Sequence, residues 1–163
     1  MSGSTVSRRY IRASARRLKA FCEGRLEGYD MVVLILDGKS FGSDEMVVAL
    51  GVTRDGRKIP LGFIQTGAEN ERVCREMLEG LVDRGLRIEE GLLCVIDGSK
   101  GLSKAIYGVF EKKALIQRCQ WHKRENVVSY LPKTMQAQVR RKLQESYQEP
   151  TYERAKEKLG KIR

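Results

Sequence analysis

Residues 31–66 read MVVLILDGKSFGSDEMVVALGVTRDGRKIPLGFIQT, and the fold class turns on this stretch. Its opening run MVVLILD, residues 31–37, is continuously apolar, too short for a typical helix and β-branched at Val32, Val33 and Ile35. It reads as a central strand buried on both faces. EMVVALGVT (45–53) and KIPLGFIQT (58–66) follow as two further strands, and the Asp55-Gly56 step between them is a hairpin-turn signal. The result is a three-stranded meander. Downstream, ENERVCREMLEGLVDRG places Val73, Met77, Leu78, Leu81 and Val82 on one helical face, with Gly80 or Gly85 as terminator. LLCVID (92–97) then repeats the apolar character of the first strand and also ends in aspartate. Ser99 opens a helix through Leu102, Ile106 and Phe110, and ALIQRC (114–119) is the last strand. From Trp121 onward the composition is helical and breaks at Pro132 and Pro150, which predicts two or three short helices and no further sheet. Upstream, Ile11, Ala15, Leu18 and Cys22 recur at helical spacing, with Arg8, Arg9, Arg12, Arg16 and Arg17 mostly off that stripe. This is a basic amphipathic helix ending near Gly24. The order predicts an α/β fold with a mixed sheet.

Composition narrows the function classes. The 163 residues are 41% hydrophobic and 32% charged, as in one globular domain of ordinary length. No apolar run approaches the ~18 residues of a membrane helix. The first residues, MSGSTVSRRYIR, lack the apolar stretch of a secretory signal, so the expected location is the cytoplasm with reduced thiols. Cys22, Cys74, Cys94 and Cys119 form no CxxC pair and are expected in the core rather than in a disulfide scaffold or zinc clamp. The net charge of +10 suits a polyanionic partner such as nucleic acid. Residues 1–29 carry 7 basic and 2 acidic side chains, residues 30–97 carry 8 and 13, and residues 98–163 carry 16 and 6. Basic ends suited to phosphates thus flank an acidic middle suited to a divalent metal.

A right-handed crossover from the meander lays strand 92–97 parallel to strand 31–37. Both strands then finish at the same sheet edge, with Asp37 and Asp97 about one strand spacing, ~5 Å, apart. Carboxylates that close repel, and a Mg²⁺ ion between them removes the repulsion. Each is followed by glycine, which permits a tight turn and leaves room for a phosphate. Such a site suits two-metal phosphodiester chemistry. The competing explanation is that Asp-Gly merely closes each strand with a turn. Neither GxGxxG after the first strand nor a GxxxxGK[ST] loop occurs, which disfavours dinucleotide and P-loop folds. In QRCQWHK, Cys119 and His122 form C-x-x-H without a second ligand pair, so neither structural zinc nor thiol catalysis is implied. Trp121 among Arg118, His122, Lys123 and Arg124 has the composition of a base-stacking, phosphate-gripping patch, or of a lone core Trp.

The blocks LILDGKSF, VIDGSKGLSKAI with its downstream FEKK, and QRCQWHKRENVVSYLP resemble the transposase core of bacterial Mutator-type insertion sequences. The resemblance runs from about Thr5 to near residue 159. It implies an RNase H-like catalytic core over residues 30–130, with a three-stranded antiparallel meander plus parallel strands, flanking helices and a helical tail. It also implies an Asp-Asp-Glu transposase that cleaves and joins DNA with Mg²⁺ or Mn²⁺. Asp37 and Asp97 match the first two acidic residues, and Cys119 and His122 match an accessory C-x-x-H signature positioned near the active site. Residues 1–29 resemble the end of a helix-turn-helix region and its linker, and residues 131–163 the start of a helical insertion. The family's third carboxylate lies beyond that insertion, in an Asn-x-Ile-Glu-Ser type segment that is absent here. The chain is therefore expected to be a fragment that is inactive alone. Glu145, Glu149, Glu153 and Glu157 fit solvated ion pairs better than a metal ligand. The expected partners are DNA, held by Arg8, Arg9, Arg12, Arg16, Arg17, Lys123 and Arg124, and further copies of the full-length chain. That partnership implies a bacterial, nucleoid-associated location. The alternative is a non-catalytic DNA-binding remnant or regulator. A self-sufficient nuclease would need one of Asp44, Glu45 or Glu69 as a further carboxylate.

Overall fold

The meander-and-crossover order recurs in the computed structural model, which describes residues 3–42, 44–66 and 71–162. The chain divides into two compact units, Met1–Gln117 and Arg118–Arg163. The first begins with helix α1 (Gly3–Glu23) and continues through strands β1 (Met31–Phe41), β2 (Asp44–Thr53) and β3 (Lys58–Thr66). Helix α2 (Glu71–Asp83), strand β4 (Leu92–Ile96), helix α3 (Lys100–Phe110) and strand β5 (Ala114–Arg118) follow. The five strands form one mixed sheet in the order β3-β2-β1-β4-β5. β1 is antiparallel to β2 and parallel to β4, with Val33 opposite Leu93 and Leu36 opposite Ile96. Gly56 sits in the β2–β3 turn at φ +85°, where a side chain is strained.

One face of the sheet carries the core. Leu34, Leu36, Val47, Ala49, Leu61, Cys94 and Ile96 are buried there with Cys74, Leu78 and Leu81 of α2 and Leu102, Ala105, Ile106 and Phe110 of α3. Each buried Leu, Ile or Phe contributes roughly 1.5–3 kcal/mol relative to exposure. Ser99 starts α3 as expected, its Oγ accepting the Leu102 N–H at 3.3 Å.

Several expectations are corrected. β1 is buried on one face only: Leu34 and Leu36 are enclosed, whereas Val33 and Ile35 are half-buried. An apolar run does not by itself say that both faces are covered. The α2 face is rotated, with Cys74, Leu78 and Leu81 inside and Val82 exposed, because α2 packs against α3 as well as β3. The stripe of α1 does not pack into the unit: Ile11 is 61% and Leu18 45% exposed, and Cys22 is exposed too. Of the cysteines, Cys74 and Cys94 are buried and Cys119 is half-buried. What ties α1 down is Arg84, whose guanidinium donates to the carbonyls of Gly24 at 2.7 Å, Leu61 at 2.6 Å and Phe21 at 3.2 Å. It satisfies carbonyls at the helix C-terminus.

The second unit comprises helices α4 (Gln120–Ser129), α5 (Lys133–Tyr147) and α6 (Tyr152–Gly160). Val128, Val139 and Leu143 form its small core. Pro132 and Pro150 lie in the links between helices, as read from the sequence. Glu145 pairs with Arg141 at 3.9 Å, Glu157 with Lys161 at 2.6 Å and Glu149 with Lys158. These glutamates therefore act as ion-pair partners, as expected. Among the described residues no helix is long and apolar enough to cross a membrane.

Candidate active site

The two aspartates reach the same place on the sheet by different local structures. The β1–β4 ladder ends at Leu36 opposite Ile96, and Asp37 and Asp97 are the next residues on the two strands. Strand alternation puts Asp37 in line with half-buried Val33 and Ile35, away from the packed core face. At Asp97 the chain leaves the sheet, since its Oδ1 accepts the Ser99 N–H at 2.8 Å and Gly98 adopts φ +108°. At Asp37 it does not. β1 continues to Phe41, paired with β2 through Gly38 opposite Val47 and Ser40 opposite Glu45. Both strands were expected to end at the aspartates with a Gly turn. Only β4 does, because β2 supplies β1 with a partner beyond Asp37. A turn therefore explains Asp97-Gly98 but not Asp37-Gly38.

Where β1 outruns β4, a notch opens in the sheet. A cavity of about 340 Å³ lies there, lined by Gly38, Lys39, Ser40, Glu45 and Asp97. Asp37 is 28% exposed, and its Oδ2 receives the Lys39 ammonium at 2.9 Å. The residues i and i+2 of a strand share a face, which brings this pair together. A larger cavity near the start of β1 is lined by Asp30, Glu90 and Arg87, among others. There Arg54 already bridges Asp30 and Glu90, each at 2.7 Å.

The donor set suits a hard divalent cation. Mg²⁺ is commonly held by one or two carboxylates, with waters and substrate phosphates completing its shell. Asp97 supplies such oxygens to the cavity and Asp37 supplies them from the adjacent strand, and the Lys39 ammonium on Asp37 already stands where positive charge is favoured. Among the described residues no group of three or more His, Cys, Asp or Glu is arranged to hold a metal ion. Glu45 borders the notch without completing a triad. Asp44 begins β2, and Glu69 lies outside the described residues.

The remaining predicted residues fall on two helices. Arg8, Arg9, Arg12, Arg16 and Arg17 are all exposed on α1. Cys119 is the N-cap of α4 and His122 lies in its first turn. The Cys119 carbonyl accepts the Lys123 N–H at 2.9 Å, and the His122 ring meets Trp121 edge-on at 4.7 Å. Trp121 is 54% exposed rather than in a core, and Lys123 is exposed beside it. Arg124, the last of the predicted DNA-binding set, is paired within its own unit. It is 14% exposed, donates to Glu125 at 2.9 Å and to Gln144, and so joins α4 to α5. Its short distance from Glu125 along the helix captures it before solvent does. Glu125 also receives Arg140 at 3.1 Å, and the two guanidinium groups, Arg140 first, hold its carboxyl below the usual range.

The sequence reading misses Lys39 and Ser40 because it ends the strand at Asp37 and gives Gly38 to a turn. Period-two alternation carried past residue 37 was the signal that could have found them.

Aspartates that follow the paired residues of two parallel strands, together with a net charge of +10, are features compatible with a polyanionic partner. Residues 2–163 match the family described as Transposase, Mutator family, and the chain belongs to that family. It is 30% identical over 165 residues to the transposase for insertion sequence element IS905 of Lactococcus lactis subsp. lactis, across 97% of this chain and 41% of that protein. It is 30% identical over 153 residues to the transposase for IS6120 of Mycolicibacterium smegmatis, across 90% of this chain and 46% of that protein. Similarity to the transposase for IS256 in transposon Tn4001 of Staphylococcus aureus is 36% over 86 residues, 53% of this chain and 21% of that protein. The chain thus spans less than half the length of these relatives.

Proposed function

We propose that the chain carries the RNase H-like core of an insertion-sequence transposase, which cleaves phosphodiesters at transposon ends and transfers the freed strand to target DNA. The supporting observation is the parallel register of β1 and β4, which puts Asp37 and Asp97 one residue beyond the paired Leu36 and Ile96. These two carboxylates would hold Mg²⁺ or Mn²⁺. A bound divalent cation of this kind activates the attacking oxygen and stabilises the leaving one. The Ser99 N–H fixes one Asp97 oxygen, and the Gly98 turn leaves the approach to it open. The exposed arginines of α1 and Lys123 hold phosphate backbone, and Trp121 stacks on an unpaired base. The full-length protein acts as a homo-oligomer on paired ends and associates with the nucleoid through DNA.

Complete chemistry needs a third carboxylate, and among the described residues no group of three or more metal-ligating side chains is assembled. That observation also favours a second reading: a non-catalytic DNA-binding remnant or regulator of full-length transposase. The experiment is Asp97→Ala in a full-length transposase carrying this segment. Transposition is expected to fall to background while DNA affinity is unchanged, and transposition that survives the change rejects the metal-site assignment. Joining the segment to the carboxyl-terminal part of a full-length relative separates the two readings, since cleavage is expected only of a true core.

A further inference from the structure

The notch contains a charge that the proposed reaction does not use. Lys39 extends from β1 onto the same face as Asp37, places its ammonium 2.9 Å from Oδ2, and lines the cavity with Asp97. It is half-exposed, so it can leave the carboxylate without opening the core. Two aspartates in adjacent register repel when no cation lies between them. A monovalent cation tethered two residues away along the strand offsets that repulsion at high local concentration.

We infer that Lys39 is a built-in counter-ion that competes with the divalent cation for Asp37. This rests on the assignment of Asp37 and Asp97 as metal ligands and adds a residue that sets the affinity of that site. Cation entry displaces the ammonium from Oδ2, and the freed ammonium remains at the cavity mouth, where substrate phosphate is its natural partner. Before loading, Lys39 offsets the repulsion between Asp37 and Asp97 within the folded sheet. The site therefore binds metal more weakly than its carboxylates alone would.

Manganese titration of the 163-residue chain, followed by the EPR signal of free Mn²⁺, tests this. Lys39→Gln is expected to bind Mn²⁺ about fivefold more tightly than the wild type, the factor that one exposed ion pair supplies. Lys39→Arg keeps the charge and is expected to match the wild type. The rise in Tm caused by saturating Mn²⁺ is expected to be larger in Lys39→Gln, because its metal-free form keeps the carboxylate repulsion. Asp37→Asn and Asp97→Asn show whose failure is being observed. If these two weaken Mn²⁺ binding but Lys39→Gln leaves it unchanged or weaker, the competition is rejected and the metal site stands. If neither asparagine variant alters binding, or neither the wild type nor Lys39→Gln binds Mn²⁺, the metal-site assignment fails and the competition with it.

Discussion

Asp37-Gly38 and Asp97-Gly98 are the same dipeptide in two backbone states. Gly98 at φ +108° occupies a region that side chains rarely enter, whereas Gly38 lies within extended β1. Gly98→Ala is expected to lower stability by about 1–2 kcal/mol and to weaken Mn²⁺ binding, because the strained turn carries Asp97. Gly38→Ala has no such backbone penalty. Urea unfolding of both variants checks this, and equal losses would mean that backbone strain is not what separates the two steps. Cys94 gives a second contrast at this scale. Burial pushes its thiol up to about 12, which makes it a core residue without reactive chemistry, while Cys22 on α1 lies exposed.

Among elements, the α4–α5 junction depends on one carboxylate. Glu125 holds Arg140 from α5 and Arg124 from its own helix, and Arg124 reaches Gln144. Its carboxyl is lowered from the ordinary 4.5 by these guanidinium groups. A group depressed in the folded state adds stability above its unfolded value and loses it as pH falls through the folded one. Glu125→Gln is therefore expected to lose about 1 kcal/mol near neutral pH, with the gap from wild type closing as pH falls through the lowered range of the folded carboxyl. Thermal unfolding followed from neutral into acid pH measures it, and a gap that does not narrow on acidification would show that the pair does not titrate with folding. In the other unit, Arg84 does similar work with neutral acceptors, fastening the end of α1 to β3 through three carbonyls.

Over the whole molecule, charge and exposure coincide on α1. The net charge is +10, and all five arginines of that helix face solvent. Replacing Arg12, Arg16 and Arg17 by glutamine is expected to weaken duplex binding and to reduce the slope of log K against log salt by about three. Filter binding between 50 and 200 mM salt reads this directly, and an unchanged slope would remove α1 from the DNA surface. Length, composition, strand order and the paired aspartates were legible in the chain because apolar runs, helical spacing and Asp-Gly steps are local signals. Parallel pairing of 31–37 with 92–97 also followed from the handedness of crossovers. Tertiary structure alone decided that β1 runs on to Phe41, since only β2 could pair that extension. It likewise placed Lys39 on Asp37, paired Arg124 with Glu125 and left the stripe of α1 exposed. A side chain's neighbours across strands and helices depend on register and packing, which no local pattern encodes.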